Sequence, residues 1–221
     1  MSILNWFIKK KKQPRGVITC YSGKVVAKIL YGGTTDSYMY IDQKVRPDSC
    51  PICHNKLNLV PNLLIKVHSK DDLSSTYDGY DVISEKFYNF CKEGGYKNLR
   101  IIPLEKSKGF YFFEPMDVFG LDYEFCKTKF IDKRDCCGSY DEVIRPPVVK
   151  AKNYKIESND FIMKAEYYFG SYSYKGDVII VGTETAKKMK AYGLKGLYFK
   201  NIYDSENLKI TKKEVNKIVL D

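Results

Sequence analysis

From Gly16 onward the chain alternates short β-like stretches with turn residues. Val17 to Tyr21 and Lys24 to Tyr31 flank Ser22-Gly23, which predicts a β-hairpin. Tyr38 to Ile41 predicts a further short strand, and Pro47 leads into the turn Cys50-Pro51-Ile52-Cys53. Two segments then share one pattern. Residues 81–104 and 177–202 each open on Asp-Val-Ile as a strand and then set a hydroxyl before a glutamate, Ser84-Glu85 and Thr183-Glu184. Such a pair suits a helix N-cap and its first turn. A helix follows in each, with an apolar stripe of Phe87, Phe90 and Cys91 in the first and Ala186, Met189 and the stem of Lys190 in the second. Glycine stops both, at Gly94-Gly95 and at Gly193. Asn98 and Gly196 then hold matching positions, and both residue types tolerate positive φ, so the same turn is expected before strands at 100–104 and 198–202. This agreement reads as an internal duplication; two unrelated strand–helix–strand units are the plainer alternative.

Between the copies, Glu105 to Gly109 reads as a hairpin loop into the aromatic strand Phe110 to Phe113, and Pro146-Pro147 reads as a hinge. A last helix from Lys212 to about Leu220 is predicted by the capping box Thr211-x-x-Glu214 and by Val215, Ile218 and Val219 on one face. The expected organisation is a basic segment at 1–15, an N-terminal lobe at 16–145 and a C-terminal lobe at 146–221. The fold class is α+β: two pseudo-repeated strand–helix–strand lobes with antiparallel or mixed sheet.

With 221 residues, 44% of them hydrophobic and 29% charged, the chain is long enough for one large or two small domains and is not compositionally disordered. No apolar run approaches the ~20 residues that span a bilayer. The opening MSILNWFIKKKK sets its charges after the apolar residues and carries no small-residue cleavage site, so export is not expected. Seven cysteines without an export signal then read as reduced thiols in a cytoplasm, where metal binding is favoured over disulfides. The net charge of +10 invites a nucleic-acid partner. Against that, only five of the 37 basic residues are arginine, and the lysines are scattered apart from Lys9 to Lys12. Trp6, Phe7 and Ile8 beside those lysines suit an anionic membrane surface; a solvated N-terminus accounts for the same residues equally simply.

Cys50 and Cys53 carry the clearest chemistry. Two thiols on one tight turn chelate a single ion, but they fill only half of a tetrahedral zinc site. The second half is expected from Cys136-Cys137-Gly138, with Cys137 the better ligand because the glycine lets the backbone turn around its thiolate. Adjacent side chains point apart in extended chain, so Cys126 is the expected fourth ligand, with Cys136 the alternative and His54 a further candidate. Cys20 and Cys91 read as small core residues. Catalytic signals are scarce: His54 and His68 are the only histidines, and no nucleophile elbow or phosphate-cradling glycine loop occurs. The carboxylate pairs Asp71-Asp72 and Asp141-Glu142 read as solvated, and Tyr172 and Tyr174 as cross-strand partners of a hairpin.

Over residues 45–204 this layout resembles the double-CXXCG-motif family of bacterial proteins. The resemblance rests on the Cys50-Pro51-Ile52-Cys53 knuckle, a strand–helix–strand unit, a second Cys-Gly knuckle, and a closing segment that runs Asp160-Phe161-Ile162, Asp177-Val178-Ile179 and Gly193-Leu194-Lys195-Gly196-Leu197-Tyr198-Phe199. Two positions depart from the motif: His54 follows Cys53 in place of glycine, and Arg134 stands where the second motif begins with cysteine. The paired knuckles point to a structural zinc staple and the scarce catalytic set to a non-enzymatic interaction protein, and the resemblance implies, as for some family members, service as an immunity protein against a cognate toxin. A zinc-knuckle nucleic-acid binder is the alternative expectation.

Overall fold

The computed structural model describes residues 16–41, 46–206 and 208–215; the basic segment 1–15, with its expected membrane contact, lies outside them. The described residues form an α+β structure of four sheets and two helices. A five-stranded sheet runs in the order β3 (Gly33–Thr34), β4 (Leu73–Ser75), β5 (Asp81–Ser84), β7 (Phe110–Pro115), β6 (Leu99–Pro103). A four-stranded sheet runs β10 (Ile162–Lys164), β12 (Ile179–Gly182), β2 (Val25–Tyr31), β13 (Tyr198–Tyr203). Three strands, β11 (Gly170–Ser171), β9 (Tyr140–Ile144) and β8 (Lys129–Lys133), form a third sheet, and β1 (Gly16–Ser22) pairs with β14 (Lys209–Val215) in the fourth. No helix among the described residues is long and apolar enough to cross a membrane.

The two helices predicted within the repeated segments form. In α1 (Glu85–Glu93) the Ser84 hydroxyl accepts from the Phe87 N–H at 3.2 Å, and Phe87, Phe90 and Cys91 are buried at the expected spacing. In α2 (Thr183–Ala191) the cap differs from expectation: Thr183 is the first helical residue and Gly182 precedes it. A Cβ at 182 would lie 2.0 Å from the Asn159 carbonyl oxygen, so close backbone approach selects glycine there. After the helices, Gly95 and Gly193 adopt φ of 68° and 75°, and Asn98 and Gly196 adopt 55° and 70°, the matched turn expected from their positions.

The two strand–helix–strand units also share a topology. β5 and β6 lie on either side of β7, and β12 and β13 lie on either side of β2, each central strand being antiparallel to both neighbours. β2 comes from the N-terminal part of the chain yet forms the interior of the sheet built by the C-terminal part, so a division at 145/146 does not separate the sheets. The sheets also share one apolar core, into which α1 sends Phe87 and Phe90, α2 sends Ala186 and Met189, and strands of both sheets send Leu30, Ile83, Phe113 and Val181. Burying side chains of this size stabilises by roughly 1.5–3 kcal/mol each, so this core, and not the cysteine staple alone, joins the halves. Period-two alternation sends the neighbouring residues to opposite faces: Ile29, Ile180 and Ile202 to one further cluster, and Val82 and Phe112 to another.

Three local expectations fail for one reason, which is non-local pairing. β1 does not form a hairpin with β2, because both edges of β2 are taken by β12 and β13, and β1 pairs with β14 instead. Residues 209–215 are accordingly strand where a helix is expected from 212, and residues 216–221 lie outside the described residues. Tyr38 to Ile41 is bent chain, since the Asp78 carboxylate accepts from the Met39 N–H at 2.7 Å and the Tyr40 N–H at 3.2 Å.

Charge is also buried. The Asp177 side chain is 2% exposed, its carboxylate lies 3.7 Å from Lys164 Nζ, and neither oxygen accepts a hydrogen bond among the described residues. Burial pushes this carboxyl up to about 8, with Glu114 and Asp81 adding to the rise and Lys164 opposing it. Burial likewise raises Asp81, to about 7. An unfolded aspartate titrates at about 3.9, so from about pH 4 to 8 the folded chain holds protons that the unfolded chain has lost. Stability from these groups is therefore fully present at low pH and is lost as pH rises through that window. Asp177→Asn is expected to flatten the fall in melting temperature between pH 5 and pH 9, gaining on the order of 2 kcal/mol over wild type at the alkaline end. Parallel melting curves across that range would count against the assignment.

Candidate metal centre

The first knuckle is held by short-range backbone bonds. Cys50 N–H donates to Asn55 O at 2.8 Å, His54 N–H donates to Cys50 O at 2.9 Å, and His54 turns the chain with φ of 60°. Below it lies a buried charge network. Asp48 accepts from Arg46 Nε at 2.9 Å and Nη2 at 2.6 Å, from Ser49 Oγ at 2.9 Å, and from the Tyr80 hydroxyl, and Arg46 also meets Asp78 at 3.1 Å. Since Leu57 N–H donates to Asp48 O at 2.8 Å, this network fixes the base of the knuckle against the turn that precedes β5.

The second knuckle is the turn between β8 and β9. Arg134 N–H donates to Ser139 O at 2.8 Å, Gly138 N–H donates to Arg134 O at 2.7 Å, and Gly138 adopts φ of 72°. Cys136 and Cys137 therefore lie on a turn and not on extended chain. That removes the reason for doubting that both face one ion.

The four sulfurs of Cys50, Cys53, Cys136 and Cys137 lie within 4.8 Å of one another, with Cys50 to Cys136 at 3.9 Å and Cys53 to Cys137 at 3.6 Å. A tetrahedral zinc with Zn–S bonds of about 2.3 Å requires sulfurs about 3.8 Å apart, so the four thiols fit the ion in number, type and spacing. Cys126, the expected fourth ligand, is elsewhere: it is 5% exposed in the core beneath the four-stranded sheet, where burial raises its thiol. Cys136 takes the fourth position. His54 is exposed and contributes its backbone, Cys91 is buried in the shared core as expected, and Cys20 lies half-buried on β1.

Electrostatics around the cluster suit a cation. Backbone N–H groups of Cys53 and Ile52 face the Cys50 sulfur and lower its thiol to about 7. Burial and the neighbouring sulfurs of Cys53 and Cys50 push the Cys136 thiol up to about 12, and burial raises Cys137. A divalent ion reverses that rise, because it binds thiolates and displaces their protons. A four-thiolate zinc site carries two net negative charges. Arg134 and Lys175 bring positive charge to bear on its sulfurs.

Several buried polar residues, some of them supporting the centre, are not evident from local pattern. Asp141 is 2% exposed, not solvated, and accepts from Arg134 Nε and Asn55 Nδ2, both at 2.7 Å. It thereby ties the first knuckle to the second, and the Arg134 bond holds its carboxyl below the usual range. Arg134 thus acts as a clasp between the two knuckles. Asp72 is buried as well, accepting from Ser84 Oγ at 2.5 Å and Lys195 N–H at 2.6 Å, and links β4 to the turn before β13. Lys175 is 2% exposed and donates to Ser139 Oγ at 2.9 Å and to Tyr140 O. Comparison with protein-family models and with curated proteins finds no match for this chain.

The two cysteines that exchange roles give a clear test. Cys136→Ser is expected to cut zinc stoichiometry well below one per chain and lower the melting temperature by about 10 °C, since a structural ion's binding energy is folding energy. Cys126→Ser should keep its zinc. The reverse pattern, measured by atomic absorption on the purified variants, would restore Cys126 as the ligand.

Proposed function

We propose that this chain is a non-enzymatic interaction protein, stapled by one structural zinc ion, that binds and neutralises a cognate protein toxin in the cytoplasm. The convergent four-thiol set carries the first part of this reading. Four cysteine ligands fill a tetrahedron and leave no position for water or substrate, which is the arrangement of a structural site and not of a hydrolytic one. Soft thiolate ligands at tetrahedral spacing favour zinc among the common divalent ions, and free thiols belong to a reducing compartment.

The immunity role rests on the resemblance over residues 45–204 to the double-CXXCG-motif proteins. The internal duplication is supported by the shared order of strands around both helices and by the matched turns at Asn98 and Gly196. The net charge of +10 suits an acidic toxin surface, which it would attract over long range. The same charge favours nucleic acid as a second reading.

Affinity isolation of the tagged chain from its native cells separates these. The expected result is one protein retained in stoichiometric amount, whose toxicity to a host cell is suppressed when the two are produced together. Suppression by a Cys50→Ser variant should be weakened with its zinc content. A retained partner whose toxicity is unchanged would contradict neutralisation. Failure to retain any protein, with nucleic-acid affinity falling steeply from low to physiological salt, would favour the second reading.

A further inference from the structure

The thiols of the cluster face one another across the two knuckles. Cys50 Sγ lies 3.9 Å from Cys136 Sγ and Cys53 Sγ lies 3.6 Å from Cys137 Sγ, so each cysteine of the first turn has a counterpart in the second. A disulfide needs its sulfurs about 2.05 Å apart, an approach that side-chain rotation on two turns can supply. Pairing side by side is less favourable for Cys136 and Cys137. Consecutive Cα atoms stand about 3.8 Å apart, below the roughly 4.4–6.8 Å that disulfides span.

Exposure then separates the members. Cys136 is exposed, whereas Cys50, its counterpart, is only 3% exposed. A small oxidant arriving from solvent meets Cys136 first, with Cys50 close enough to resolve the product. An accessible thiol beside a resolving one is the arrangement of a peroxide-sensitive site. The other cysteines compete little: Cys91 and Cys126 are buried in the apolar clusters, and Cys20 is half-buried on β1.

The alignment of the two turns does not depend on an ion alone. Buried Asp141 accepts from Asn55 Nδ2 in the first knuckle and from Arg134 Nε in the second, both at 2.7 Å. The segment at 172–175 adds a second bridge. Lys56 N–H, next to the first knuckle, donates to Tyr172 O at 3.2 Å, and Lys175 Nζ donates to Ser139 Oγ in the second at 2.9 Å. These bonds keep the thiols opposite one another while the sulfurs change their bonding.

We propose that the cluster is a peroxide-responsive switch, entered at Cys136, in which oxidation replaces the metal staple by the disulfides Cys50–Cys136 and Cys53–Cys137. This rests on the zinc reading of the four thiols above. The Cys136 thiolate attacks one oxygen of hydrogen peroxide, the O–O bond breaks, and hydroxide leaves. The Cys50 thiolate then attacks the sulfur of the resulting sulfenic acid, the S–S bond forms, and a second hydroxide leaves. Two sulfurs have each given up one electron, and one peroxide has been reduced. A second peroxide oxidises Cys53 and Cys137 in the same way. Disulfide sulfurs carry no negative charge, so the donors that would hold a divalent ion are withdrawn.

The test uses the purified full-length chain, its zinc measured by atomic absorption before hydrogen peroxide is added beside a zinc-binding dye. About two peroxides per chain are expected to release all of the zinc. Tryptic digestion without reductant, followed by electron-transfer fragmentation, is expected to show Cys50 joined to Cys136 and Cys53 joined to Cys137. Cys20, Cys91 and Cys126 should remain free. The oxidised chain should melt above the reduced chain stripped of metal by a chelator, because the disulfides join the same turns. Dithiothreitol with added zinc should restore the starting form. Zinc that stays bound under about a tenfold excess of peroxide would overturn the switch. Linkage of Cys50 to Cys53, or sulfinic acid at Cys136 without a disulfide, would also overturn it while leaving the zinc reading in place. A reduced chain that holds no zinc and takes up none when it is supplied would overturn the zinc reading itself, and this proposal with it.

Discussion

Four cysteine sulfurs held within 4.8 Å of one another are the constraint around which this part of the structure is organised. Four thiolates at such spacing repel strongly unless a cation sits among them, and four neutral thiols gain only weak hydrogen bonds. A divalent ion turns the cluster from a source of repulsion into a crosslink between the turn at 50–55 and the hairpin turn at 134–139. The protein prepares for it: Cys50 receives backbone N–H groups, and the surrounding charge comes from Arg134 and Lys175. Asp141 binds Arg134 and Asn55 at once, so the two turns are also joined by hydrogen bonds.

This crosslink does not carry the fold by itself. The helices and the two larger sheets meet in one apolar cluster, and β2 threads the chain's beginning into a sheet made mostly from its end. Such mixing ties the core together through sequence-distant contacts, whereas the knuckles lie at its margin, among loops. The division is physically sensible. Loops bury little apolar surface, so the four-thiol cluster, a buried Arg46–Asp48–Asp78 network and close glycine contacts hold them in place of a core.

What was legible in the sequence depended on the range of the interaction. Both helices could be read from apolar spacing, and the matched turns from Asn98 and Gly196, because caps and turns are set by neighbours in sequence. Cys50 and Cys53 were legible for the same reason. The pairing of β1 with β14 was not, since local pattern at Thr211 and Glu214 suits a helix start and only a distant strand selects the extended form. Cys136 ranked behind Cys126, as the alternative ligand, because adjacent side chains diverge in extended chain; Gly138 and the alternating residues on either side were the signal that it lies in a hairpin turn. The buried positions of Asp141, Asp177, Lys56 and Lys175 depend on partners far along the chain, and composition alone reads such residues as solvated.

The account turns on all four thiols sharing one ion. X-ray absorption at the zinc edge of the purified full-length chain measures this directly. The expected first shell is four sulfurs at about 2.3 Å and no nitrogen or oxygen. A shell containing a nitrogen or oxygen ligand would contradict the closed four-cysteine site and the structural role built on it.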